Sequence, residues 1–345
     1  MTGAFIGGGR PSGPCHRLSR FCDRIPRQTP CERSTARKRD RYPFTVPSEI
    51  EGYSLATMRT EDGLTICVPS SVVREAEDDR EATRKLGYVA RAAAVFRADR
   101  LVVFPDREGE RRRGGEYVRT VLGYAATPPG LRKDLWGERD ELRYAGVLPP
   151  LRVPWRTGST PDGEESKTQG LVTEVGPEGR VRVNSPLREH PISLLVPSGM
   201  EVEQGERVTI RVSSREPVRA RITGKPEEGF QVVEADLSEA LAGDGLAVAT
   251  SRHGEELSVS RLGDIVSDAR KAGGYTVAFG SPERGLPEML GLSPDGIRAA
   301  VADGRSVEPD PGFDLWLNTI PAQASEVVRT EEALFVTLGS LTLTE

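Results

Sequence analysis

Histidine is nearly missing from this 345-residue chain, which holds only His16, His190 and His253. A Ser-His-Asp hydrolase or a histidine-ligated metal centre needs a histidine with suitably spaced partners, and none of the three has them. Cysteine is as sparse. Cys15, Cys22 and Cys31 lie in the first few dozen residues and only Cys67 lies beyond, so neither a disulfide framework nor a CxxC metal clip is available. The expectation is chemistry without metal. Apolar runs long enough to span a bilayer, about 18 residues, are absent. The opening MTGAFIGGGRPSG also lacks the apolar stretch of a secretory signal, so a cytoplasmic protein is expected.

What is present supports a folded body. Hydrophobic residues make up 37% of the chain, enough to bury a core at this length. The formal charge of -5 is uneven. Residues 1–57 hold 10 of the 47 basic groups and 5 of the 52 acidic ones, leaving 37 against 47, so the remainder is acidic. Nonspecific nucleic-acid binding depends on neutralising phosphates, so any such surface must be a local basic groove.

Residues 1–57 sustain no helical or strand period and read as disordered. The run TARKRDR (35–41) would suit a basic RNA-binding arm; equally, Met58, just before the first strand, would suit a true start. The strand LTICVP (64–69) opens an α/β alternation. Ser70 and Ser71 are candidate N-caps for a helix with Leu86, Val89, Ala90, Ala93 and Phe96 on its apolar face. LVVF (101–104) and EYVRTVLGYA (116–125) supply the next strand and helix. From about Pro149 short strands take over: QGLVTEV, RVRVN, ISLLV, RVTIRV, VRARI and FQVVEA (230–235), the pattern of a small barrel or sandwich. LAVAT (246–250), a helix around Ile265, YTVAFG (275–280), FDLWLN and a final helix then resume the alternation. The expected fold is α/β, with residues 58–148 and 236–345 forming one domain and 149–235 inserted in it as an all-β module.

Three stretches carry candidate chemistry. In KLGYVARAA (85–93), Arg91 lies among alanines that would let a backbone or ligand approach closely, although an Ala-faced helix with Arg91 in solvent fits the same residues. In VAFGSPERGLPEML (277–290), a strand ends at Gly280 and a bent loop follows, as at the ligand-binding carboxyl ends of parallel strands. Glu283 and Arg284 there would serve a site or pair with each other. In NTIPAQASEVVRTEEALF (318–335), Asn318, Thr319, Gln323 and Ser325 offer hydrogen bonds while Ala322 and Ala324 leave backbone uncovered, as recognition of an adenine edge requires. Arg329, Thr330, Glu331 and Glu332 then open a helix, where acidic groups suit the dipole. A polar loop before a helix start would account for the same residues.

In this order, ARAAAVFRADRLVVF, FGSPERGL and LNTIPAQASEVVRTEEA resemble the SPOUT superfamily of knotted RNA methyltransferases. They are most similar to its archaeal and eukaryotic branch with an inserted OB-like domain, which includes a human centromere-associated member. The resemblance extends over residues 64–345. It implies a trefoil knot, which ordinary topology rules would reject. It also implies S-adenosylmethionine as methyl donor, an OB-like barrel at the β-rich insertion and a homodimer in which each subunit completes the other's site. Carried over by motif, Gly280, Asn318, Thr319 and Ile320 line the donor, with Thr250, Phe279, Ala324 and Thr330 nearby. Arg91 matches the catalytic arginine of the SpoU-type ribose 2'-O-methyltransferases, and Glu283 their second-motif glutamate. Their third-motif asparagine falls on Arg329, a departure from ribose chemistry.

For the eukaryotic relatives the implied target is N3 of a uridine in large-subunit ribosomal RNA. Arg91 and Arg329 would then stabilise the uridine anion or a phosphate, while Glu283 or Glu332 orients a group or accepts the proton. Relatives have Gly where this chain has Ala322 and Ala324, so a positive φ there would strain the loop. A catalytically idle RNA-binding factor and a ribose methyltransferase are the alternatives. On the inserted module, Arg180 with Arg182 and Arg219 with Arg221 each share a strand face and are the expected RNA contacts, against the plain alternative of a solvated face.

Overall fold

The computed structural model describes residues 63–153, 166–185, 188–215, 217–224 and 229–343. The readings made for residues 1–57 lie outside the described residues.

Strand β1 (Gly63–Pro69) is buried along almost its whole length, as a run that is apolar save for Thr65 dictates for a strand covered on both faces. Helix α1 (Asp79–Val95), β2 (Arg100–Phe104), α2 (Gly115–Ala126) and α3 (Arg132–Trp136) follow. Asp78, not Ser70 or Ser71, caps α1: its Oδ1 accepts from the Glu81 amide at 2.7 Å, and Glu81 Oε2 accepts from the Glu77 amide at 2.9 Å. The two serines stay with the strand end instead. Ser70 Oγ accepts from the Asp106 amide, and Ser71 Oγ donates to the Asp106 carboxylate.

Five antiparallel strands come next: β3 (Ser166–Val175), β4 (Arg180–Ser185), β5 (Arg188–Leu195), β6 (Arg207–Arg215) and β7 (Val218–Gly224). They pair in the order β5-β4-β3-β6-β7 around their own core of Val172, Val183, Val208, Ile210 and Ile222. The sheet curls into a half-barrel whose edge strands β5 and β7 approach each other.

The chain then returns through β8 (Gln231–Glu234), α4 (Leu237–Leu241), β9 (Leu246–Glu256), α5 (Val259–Ala272) and β10 (Gly274–Ala278). It ends with α6 (Leu286–Met289), α7 (Pro294–Asp303), β11 (Leu315–Asn318) and α8 (Thr330–Leu341). The expectation that FQVVEA is one of the inserted module's strands is overturned. β8 pairs parallel with β2, with Val232 opposite Leu101, and Phe230 is buried in the main core. The antiparallel sheet therefore ends at Gly224, because Phe230 and Val232 find apolar partners beside β2.

The six-stranded sheet runs β11-β9-β10-β1-β2-β8, every pair parallel. One face packs Leu86, Val89, Val121, Ile265, Leu334 and Leu338 from α1, α2, α5 and α8; the other packs Ala240, Leu286, Ile297 and Ala300 from α4, α6 and α7. Each fully buried leucine or isoleucine contributes about 1.5–3 kcal/mol. Because β11 lies outside β9, the β10–β11 connection, which carries α6 and α7, passes over β9, and the carboxyl ends of these parallel strands leave a crevice.

Candidate functional site

That crevice is a cavity of about 470 Å³ between the ends of β9, β10 and β11. The size suits a small-molecule site. Thr250, Phe279, Gly280, Glu283, Asn318, Thr319, Ile320 and Thr330 all line it. So do Ser251, Arg252, His253, Arg284 and Gln323.

Its floor is built by short polar ties. Phe279 is buried and donates its amide to the Cys67 carbonyl at 2.9 Å, locking the end of β10 to β1. Thr250 Oγ1 donates to the Ala278 carbonyl at 2.8 Å. At Gly280 any Cβ would lie 2.9 Å from Gly285 Cα and from the Leu286 nitrogen, so only glycine lets the loop fold back on itself. Asn318 Oδ1 accepts from the Ile320 amide at 3.1 Å, turning the chain as it leaves β11. Thr319 Oγ1 stands 2.7 Å from Thr337 Oγ1, which ties that turn to α8.

The loop 281–285 is held by Arg284. Its Nε lies 3.1 Å from Asp106 Oδ1, Nη2 lies 3.1 Å from Glu108 Oε2, and Nη1 lies 2.7 Å from Glu288 Oε1. Of the sequence alternatives for Glu283 and Arg284, mutual pairing is excluded: Arg284 binds three other carboxylates, while Glu283, at φ +64°, faces Arg111 at 3.7 Å. Ala322 takes φ +55°, the left-handed conformation that the alanine-for-glycine argument turned on. Ala324 does not.

Four candidate residues do not line the cavity. Glu332 Oε2 accepts from the Arg329 amide at 2.9 Å and so caps α8, which leaves it a structural task. Arg329 is the N-cap residue and exposed; the Glu77 amide and then Lys85 hold the pKa of Glu81 on α1 down against burial, and the Arg329 charge adds the least. Ala324 is exposed in the 318–330 loop. Arg91 Nη1 donates to the carbonyls of Pro150 and Leu151 at 3.0 and 2.7 Å, so the side chain is held against the segment after α3 rather than free in solvent.

Sequence reasoning missed His253, which it weighed only as a metal ligand or hydrolase base. Burial, then Arg298 and Arg252, push its pKa down, opposed by Asp295. It also missed Asp106, whose place under the loop depends on β1, β2 and β10 lying side by side. Cys67 is inert: burial pushes its thiol up to about 12. Among the described residues no cluster of His, Cys, Asp or Glu could hold a metal ion, and no helix is long and apolar enough to cross a membrane.

On the half-barrel the four predicted arginines divide. Arg219 and Arg221, with Arg211, line a cleft of about 730 Å³ between β5 and β7. Arg180 and Arg182 are exposed on β4 away from it, and Arg182 Nε lies 3.5 Å from Glu174 Oε2.

An uncharacterized protein of Haloarcula marismortui is 61% identical over 283 residues, 81% of this chain and 99% of the relative. One of Halobacterium salinarum is 62% identical with the same coverage. The human 28S rRNA (uridine-N(3))-methyltransferase is 28% identical over 312 residues, 81% of this chain and 77% of that protein. The profile of a family described as "Putative RNA methyltransferase" matches residues 63–341, from β1 to the end of α8. With both sheets and the whole cavity inside that span, this chain belongs to the "Putative RNA methyltransferase" family, whose activity implies an S-adenosylmethionine-type methyl donor.

Proposed function

We propose that the chain methylates N3 of a uridine in large-subunit ribosomal RNA, with S-adenosylmethionine as donor. One observation carries this reading: FGSPERGL and NTIPAQAS, far apart in sequence, converge on one cavity at the carboxyl ends of parallel strands. The residues present fit the donor. Gly280 lines the cavity beside Asn318, Thr319 and Ile320, and the turn that Asn318 holds is suited to a base edge or a ribose. When bound, S-adenosylmethionine supplies an electrophilic methyl group on sulfur.

The chain's own task is to hold the acceptor in line and take its proton. As N3 bonds to the methyl carbon, the carbon–sulfur bond breaks and the N3 proton must leave. Glu283 is the best-situated acceptor, since it lines the cavity, is exposed and is not bound in a cap. Arg91 and Arg329 are assigned to the uridine anion or an adjacent phosphate, reaching the cavity of a second copy. Exposed Tyr88 and Val95 on α1 and Val336 on α8 support such a homodimer, with Phe96 and Phe335 packed edge to face between the helices. Arg91 shares the α1 face of Tyr88 and Val95 at helical spacing, which is what service to a partner's cavity requires.

The trefoil knot belongs to this proposal, with the 318–330 loop as threaded segment; the crossing of the β10–β11 connection over β9 supports it. The curled five-stranded sheet supports an OB-like RNA holder, with Arg219 and Arg221 as contacts and Arg180 and Arg182 as outer ones. Incubation with labelled S-adenosylmethionine and undermodified ribosomal RNA tests the activity. Label in the RNA is expected; absence of saturable donor binding would make the protein an idle RNA-binding scaffold.

A further inference from the structure

β9 and β11 run in register to Ala249 opposite Trp316 and resume at Glu255 opposite Leu317. One step on β11 therefore spans six on β9, and residues 250–254 bulge out of the ladder. Bulges re-aim side chains at the edges of sites. Here Thr250, Ser251, Arg252 and His253 are all delivered to the cavity wall. Gly254 closes the bulge: a Cβ there would lie 2.5 Å from the Trp316 carbonyl carbon and oxygen, so the crossing admits only glycine.

The ring of His253 has a fixed tautomer. Its Nδ1 stands 2.9 Å from Arg298 Nη2, and a guanidinium can only donate, so Nδ1 accepts and the proton sits on Nε2. Asp295 holds Arg298 from the other side. Among the described residues nothing accepts from that Nε2–H, and Arg252 is exposed without an ion-pair partner. The charges around the cavity are otherwise largely matched. Arg284 is taken up by Asp106, Glu108 and Glu288, and Glu283 faces Arg111, which leaves Glu326 as the unmatched carboxylate. Arg252 with His253 is therefore the cationic, donor-rich corner of the cavity.

We infer that Arg252 and His253 form an oxyanion subsite for one of the two reactants, receiving either the carboxylate of the methyl donor or a phosphate of the RNA. The inference rests on the methyltransferase reading above. Arg252 supplies charge and His253 a directed neutral donor, with Arg298 and Asp295 as positioning residues that keep the ring turned.

The test is calorimetric titration of wild type, Arg252→Gln and the double variant Arg252→Gln/His253→Ala with three probes. These are S-adenosylmethionine, its decarboxylated analogue and a short single-stranded ribosomal RNA fragment. If the donor's carboxylate is bound, Arg252→Gln weakens S-adenosylmethionine about ten-fold, the size of one charge-assisted hydrogen bond, while the decarboxylated analogue binds both proteins alike. If a phosphate is bound, donor affinity holds and RNA affinity falls about ten-fold with a shallower salt dependence. A double variant that binds donor and RNA as wild type does overturns the subsite. A wild-type chain that binds neither overturns the methyltransferase reading and the subsite with it.

Discussion

The Thr330 hydroxyl donates to the Gly280 carbonyl across 2.8 Å, joining the first turn of α8 to the loop after β10 over a separation of 50 residues. Thr330 is almost fully buried, so the bond has no water to replace it. Thr330→Val keeps the shape and removes the donor. It should cost about 1–2 kcal/mol and loosen both walls of the cavity. Thermal melting and donor titration check this, with affinity expected to fall about ten-fold; unchanged affinity would separate the tie from the cavity.

Arg284 and Asp106 form the most enclosed ion pair under that loop, their side chains 11% and 4% exposed. Arg284→Met leaves Asp106 with only Ser71 and backbone neighbours, at a cost of about 3 kcal/mol. Adding Asp106→Asn removes the orphaned charge and should recover part of the loss. A double-mutant cycle in urea measures the coupling; additive losses would contradict a direct pair.

Much of this was legible because the strands are apolar runs and the last helix carries its start signal in RTEEA. LTICVP, LVVF, LAVAT and YTVAFG became the core strands, and the RTEEA start of α8 stands where its capping pattern put it. The misses have physical causes. β8 reads as one more short strand, and only Phe230 and Val232 finding apolar partners beside β2 assign it to the parallel sheet. Helix α7 had its signal, Ser293 as N-cap and Pro294 after it, but the loop reading of VAFGSPERGLPEML stopped short of it. The bulge carrying Arg252 and His253 is a register relation between two strands, so no local pattern announces it. The expected Gly-to-Ala strain was traced to Ala322 alone because φ depends on the folded loop.

Ala322→Gly should therefore stabilise the protein. A non-glycine residue in the left-handed region costs about 1 kcal/mol, partly offset by the entropy glycine loses on folding. The melting temperature is expected to rise by about 2 °C, and a fall would mean that the alanine methyl makes a favourable contact.

Cys67 gives a pH prediction. Its thiol is raised from 9.0 to about 12 by burial, so at pH 8.5 it should resist alkylation until urea unfolds the chain. Above pH 9 the unfolded chain releases this proton and the folded chain keeps it. Stability is thus flat with respect to Cys67 below pH 9 and falls as pH rises toward 12. Cys67→Ala should lessen the alkaline fall in unfolding curves, the remainder coming from Tyr275 and Tyr117, whose pKa values burial also raises; rapid native alkylation of Cys67 would contradict the burial.

Whether the chain methylates a base of RNA is read from the identity of the product nucleoside. After incubation with S-adenosylmethionine and undermodified large-subunit ribosomal RNA, digestion and mass spectrometry should show 3-methyluridine, with the amount greatly reduced by Glu283→Gln. A methyl group on ribose 2'-O, or no methylated nucleoside from a chain that binds both reactants, would contradict the account.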